Sequence, residues 1–191
     1  MPEEASRNAA IVESKPPPKQ RKWLPTLGVL LVILVLVAGG QIAVGATEEP
    51  PRTIPLTSDV TYVTASGWVP VKGLNPGLRV SKGDGIFDAT PLPFSGDAAD
   101  LWRIVARVKT ERSTLFRAAP ELRIYSISGV KAVQGEYIAA VRGLPFPIEG
   151  QVTTLVTRRG TGVVFDALAP YGRFASIADD ITTMIASVRT T

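Results

Sequence analysis

One run in the chain carries no charge at all. Leu27 to Ala46 reads LGVLLVILVLVAGGQIAVGA, with Gln41 as its one strongly polar residue. Twenty residues rising about 1.5 Å each make a helix about 30 Å long, the thickness of a bilayer's hydrocarbon core. Trp23 stands at its entry, where an amphipathic ring prefers the headgroup level. Residues 23–46 are therefore predicted to form a transmembrane helix.

Past this run the pattern breaks into shorter periodic pieces. Residues 47–58 (TEEPPRTIPLTS) are polar and proline-rich, the composition of an extended stalk. VTYVTASGWVPV (60–71) has the β-branched and aromatic residues of a strand, and 72–78 carries the turn signal Asn75-Pro76-Gly77. Residues 78–90 read as a second strand, interrupted at Gly83-Asp84-Gly85 and ended by Pro91 to Pro93. Leu101, Ile104, Val105 and Val108 then recur at helical spacing and predict a helix over 96–112, capped by Ser95, with Glu111 within reach of Arg107. Two hairpins follow, one around Gln134-Gly135 and one turning at Arg159-Gly160-Thr161-Gly162. A last amphipathic helix spans 174–188, with Phe174, Ile177, Ile181, Met184, Ile185 and Val188 on one face. The order predicts an α+β domain over 59–191, an antiparallel sheet packed with two helices.

Charge orients this plan. Lys19, Arg21 and Lys22 precede the apolar run, while Glu48 and Glu49 follow it, so the first 22 residues belong in the cytoplasm and the domain outside. A cleaved signal peptide is the competing reading, since Val44-Gly45-Ala46 resembles a cleavage site. The long basic lead and the length of the apolar run favour an uncleaved anchor. Residues 1–22, charged and holding Pro16-Pro17-Pro18, lack the apolar surface to fold and read as a disordered tail. Gly39, Gly40 and Ala43 form the small-residue spacing that lets membrane helices approach closely.

Composition removes chemistry. Of 191 residues none is cysteine or histidine, which excludes disulfides, thiolate catalysis and the usual general base. The net charge of +4 is spread along the chain, not gathered in a block fit for nucleic acid. Ser128-Gly129-Val130-Lys131 matches S-x-x-K, but in a strand or turn its two side chains need not share a face, and its companion motifs are missing. The glycines at 83, 85, 160 and 162 lack the lysine of a phosphate loop and read as bulge and turn glycines. Asp84, Asp88, Glu136, Glu149 and Asp166 are too scattered for a calcium loop and read as solvated charge; two of them meeting in one cleft would make a hydrolase. Arg103, Arg107, Arg112 and Arg117 form a candidate surface for anionic lipid or polymer. Trp68, Trp102 and Tyr125 are candidates to line an apolar pocket.

The C-terminal stretch carries a resemblance. The run Val163-Val-Phe-Asp-Ala-Leu-Ala-Pro170, then Phe174 and the helix ending near Ser187, resembles the closing strand and helix of PsbP-like domains, and Gly67-Trp68 fits their opening. The chain is also similar to LpqN-type envelope proteins of high-GC Gram-positive bacteria. The resemblance implies an α/β/α sandwich that serves as an accessory, assembly or partner-binding module, with no site motif to carry over. The expectation is thus a non-enzymatic, cofactor-free module of the cell envelope, anchored in the bilayer through residues 23–46. Its expected partner is another envelope protein or lipid. The alternative is a carrier or sensor of an apolar ligand.

Overall fold

The computed structural model describes residues 49–71 and 78–191. The predicted tail and transmembrane helix, and most of the turn at 72–78, lie outside the described residues. Among the described residues no helix is long and apolar enough to cross a membrane.

The strands are β1 (Thr53–Pro55), β2 (Val60–Val63), β3 (Val69–Pro70), β4 (Arg79–Lys82), β5 (Gly85–Pro93), β6 (Ser113–Ala118), β7 (Arg123–Ile127), β8 (Val130–Val141), β9 (Ile148–Val156), β10 (Thr161–Pro170) and β11 (Arg189–Thr190). The helices are α1 (Ala98–Arg112) and α2 (Ala178–Ala186), the latter preceded by a single 3-10 turn at Phe174–Ser176. Eight strands form one antiparallel sheet in the order β3-β4-β5-β10-β9-β8-β6, with β7 also beside β8. A small sheet, β1-β2-β11, stands apart from it. The α+β expectation holds, and residues 53–55 of the predicted stalk belong to the fold as β1.

β10 explains how the layers form. Its residues 162–169 are all buried, yet alternate side chains serve different cores. Val163, Phe165, Ala167 and Ala169 join the cluster that holds Ile181, Met184 and Ile185 of α2, together with Val60 and Tyr62 of the small sheet. Val164 and Leu168 join Leu101 and Val105 of α1 on the opposite face. The large sheet is thus covered on both sides, and its central strand reads as a continuous apolar run for that reason.

Several boundaries differ from the sequence reading. Residues 78–90 are not one interrupted strand but a hairpin, β4 and β5, turning at Gly83-Asp84. β5 runs on through Pro91 and closes at Pro93. Both prolines lie past the last residue that β4 pairs, where the strand has one neighbour and a missing N–H costs nothing. The first hairpin turns at Ser128-Gly129, both at positive φ as a tight two-residue turn requires, and Gln134-Gly135 lie inside β8. The second hairpin turns at 157–160, two residues before the predicted turn at 159–162. Asp97, not Ser95, caps α1, through a reciprocal capping box with Asp100. Arg103 pairs with Asp100 at 2.5 Å, and no Glu111–Arg107 ion pair forms among the described residues.

Candidate functional site

Two carboxylates that lie far apart in sequence stand directly opposite each other. The register of β5 and β10 pairs Asp88 with Asp166, so both side chains leave the same face of the sheet, under the C-terminal half of α1. Both are buried, at 3% and 5% exposure. Each has its own cation. Arg79, opposite Asp88 in the register of β4, grips it with Nε to Oδ1 at 2.5 Å and Nη2 to Oδ2 at 2.7 Å. Lys109 descends from α1 to donate to Asp166 Oδ2 at 2.6 Å and to the Tyr137 hydroxyl at 3.0 Å. That hydroxyl in turn donates to Asp166 Oδ1 at 2.9 Å. The Lys109 ammonium also sits 4.1 Å from the centre of the Tyr137 ring.

Burial dominates the electrostatics here. It pushes the Asp88 carboxyl up to about 6, with Arg79 opposing the shift and Asp166 adding to it. Burial opposes the charge of Arg79, but its bonds to Asp88 win and hold the guanidinium above its ordinary value. Tyr137 is held well above the usual phenol range, first by burial and then by the Asp166 charge. A carboxylate pair that worked on a substrate would have to meet solvent with room for a reactant between its acids. This pair meets an arginine, a lysine and a phenol, and through Lys109 it fastens α1 to the sheet.

A third buried carboxylate does similar work elsewhere. Asp59 accepts the hydroxyls of Thr57 at 2.6 Å, Thr157 at 2.8 Å and Thr161 at 3.3 Å, which ties the β1–β2 loop to the β9–β10 turn. The Thr57 bond foremost holds its pKa below the ordinary value, against the effect of burial. Asp180, in the first turn of α2, accepts both the Trp68 indole N–H and Lys82 Nζ at 2.9 Å. Burial works to raise its pKa, and these two bonds outweigh it.

The residues singled out from sequence scatter over this frame. Arg103 and Arg107 lie exposed on one face of α1, Arg112 is half-buried at the helix end, and Arg117 is exposed on β6. Trp68 and Trp102 do not share a pocket. Trp68 packs in the cluster on the α2 side, as Tyr125 does, and Trp102 packs on the α1 side. The Ser128 hydroxyl donates to the Val188 carbonyl at 2.8 Å and ties the β7–β8 turn to the segment after α2. The sequence pattern does not single out Lys109, although it stands four residues after Val105 and eight after Leu101, on the buried stripe of the helix. A lysine in that position needs a buried anion, and the one acid inside the apolar run of β10 supplies it.

No protein family model matches the chain. No curated protein matches its sequence. Solved structures do match. The solution structure of the cyanobacterial PsbP (CyanoP) of Synechocystis sp. PCC 6803 aligns over 81% of this chain and 99% of its own, at 19% identity and a TM-score of 0.50. The Ran-binding protein Mog1p of Saccharomyces cerevisiae aligns over 74% and 96%, at 15% identity and a TM-score of 0.52. LpqN of Mycobacterium tuberculosis, described as involved in cell envelope biogenesis, aligns over 77% and 87%, at 13% identity and a TM-score of 0.47. At such identities the likeness reaches the architecture and no further, and on that architecture the described domain has a PsbP-like fold.

Proposed function

We propose that this chain is a membrane-anchored extracytoplasmic module, held in the bilayer through residues 23–46, whose domain binds or organises another protein of the cell envelope without turning over a substrate. The observation that carries this reading is how the domain uses its groups. The ionisable side chains that converge are closed off and paired inside the sheet, as Arg79–Asp88 and Lys109–Asp166. The surface instead shows large apolar side chains: Leu115, Ile138, Phe146 and Tyr171 are exposed near one end of β8 and β9. The loss of water from such side chains favours association. Mog1p, which shares the architecture, is described as Ran-binding, and this supports a protein partner for the domain.

Native mass spectrometry of the full chain, extracted gently from its own membrane, tests the reading. A protein retained in fixed stoichiometry supports it. A retained lipid or small molecule with no protein partner would overturn it in favour of a ligand carrier.

A further inference from the structure

The sheet face that α2 covers is not covered to its end. Along β8 on that face, Ala132 is fully buried in the α2-side cluster, Gln134 is half-buried, and Glu136 and Ile138 are exposed. The register places Arg117 of β6 and Glu149 of β9 on either side of Ile138, on the same face. One row further on, Leu115, 45% exposed, pairs with Ala140. The centre of this surface is therefore an apolar side chain flanked by the exposed cation Arg117 on one strand and by the half-buried Glu149 on the other. Glu149 Oε1 accepts the Phe174 N–H at 2.7 Å, and its second oxygen is left for a further donor.

That row is self-complementary. A two-fold axis lying in the contact plane, along β8 and over Ile138, carries the β6 side of one copy onto the β9 side of the other. Ile138 then meets Ile138, and the Arg117 of each copy meets the Glu149 of its mate. Glu136 lies close to the axis and would approach its own counterpart, but Arg123 stands 3.6 Å from it and offsets the charge. A patch of one sign would call for a partner of the other sign, whereas opposite signs about an apolar centre suit a second copy of the same chain. We infer that this end of the sheet is a contact between two copies of the chain, packed face to face through the Arg117–Ile138–Glu149 row.

The contact is small. Three strands about 4.8 Å apart and seven residues of about 3.4 Å give roughly 350 Å² on each copy. Twice that is about 700 Å², below the roughly 1,200 Å² at which stable complexes begin. Association is thus weak and rises with concentration. On the anchored reading proposed above, confinement to a membrane raises the local concentration and supplies what the area lacks.

The chain has no cysteine, so Ile138→Cys in the full chain places a single thiol at the proposed axis. Oxidation with copper phenanthroline in detergent should give a disulfide-linked dimer whose yield rises with protein concentration. Thr182→Cys, exposed on α2, should give at most a tenth of that yield. Adding Arg117→Glu to the Ile138→Cys chain sets like charges face to face and should lower its yield about tenfold. Equal cross-linking at positions 138 and 182, or no effect of Arg117→Glu, would overturn the inference. Sedimentation equilibrium of the unaltered chain keeps the test independent of any variant's folding. A monomer–dimer equilibrium supports the contact, and a pure monomer at every concentration rules it out, whatever other protein the module binds.

Discussion

Asp88 and Asp166 stand directly opposite one another on β5 and β10, each neutralised by a cation from a different element. Like charges placed so are repulsive unless each is paired, and the pairing here joins β4, β5, β10 and α1 into one unit. Removing one cation leaves a buried, uncompensated charge. Lys109→Met is therefore expected to cost about 3–5 kcal/mol in urea unfolding. Asp166→Asn on the Lys109→Met background should recover part of this, since an amide needs no counter-charge. A double variant as unstable as Lys109→Met alone would mean that lysine packing, not charge, holds α1 in place.

The same pair sets a pH dependence. Burial raises Asp88 from its ordinary 3.8 to about 6 in the folded protein, so its contribution is complete below 3.8 and is lost as pH rises through about 6. The loss is on the order of 3 kcal/mol. Asp59 and Asp180 shift the other way: their contribution is complete above the ordinary value of 3.8 and is lost as pH falls through their lowered folded values. The urea midpoint should thus fall across the window from about 3.8 to about 6, and Asp88→Asn should flatten it there. A midpoint that rises across that window would mean Arg79 prevails over burial.

How far such groups can be seen from sequence depends on what surrounds them. The stripe from Ile177 to Val188 was legible because α2 is wet on one side, so its apolar positions repeat against polar ones. β10 hid Asp166, because a strand covered on both faces gives no alternation against which a buried acid stands out. The β7–β8 turn is masked in the sequence for a related reason. Gly135 in β8 looks like a turn glycine, but Trp102 occupies the place its side chain would fill. The Arg117–Ile138–Glu149 row was invisible, because a row across three strands exists only once their register is known.

Two glycines test that packing. A Cβ on Gly150 would lie 2.7 Å from the Tyr137 hydroxyl and would also press on the Ala167 carbonyl, which cannot move aside. A Cβ on Gly135 would meet only side chains, Trp102 at 2.6 Å and Leu122 at 2.8 Å. Gly150→Ala is expected to cost about 3 kcal/mol or more and Gly135→Ala about 1–3 kcal/mol. Gly135→Ala should also shift the tryptophan emission as Trp102 is displaced. Equal losses without a spectral change would show that Trp102 does not lie on Gly135.

Asp180 takes two donors on one oxygen, and they are unequal. Trp68 is 1% exposed, so its indole N–H has no other route to a partner, whereas the Lys82 side chain is 40% exposed and can turn to water. An unsatisfied buried donor costs about 1–3 kcal/mol, and an exposed ion pair contributes about 0–1 kcal/mol. Asp180→Ala should therefore destabilise the fold by about 1–3 kcal/mol. Asp180→Asn retains an acceptor for the indole and should cost less, close to the effect of Lys82→Met. Thermal unfolding of the three variants orders the contributions. If Lys82→Met proved as damaging as Asp180→Ala, the ion pair rather than the Trp68 bond would be what fastens α2 to the sheet.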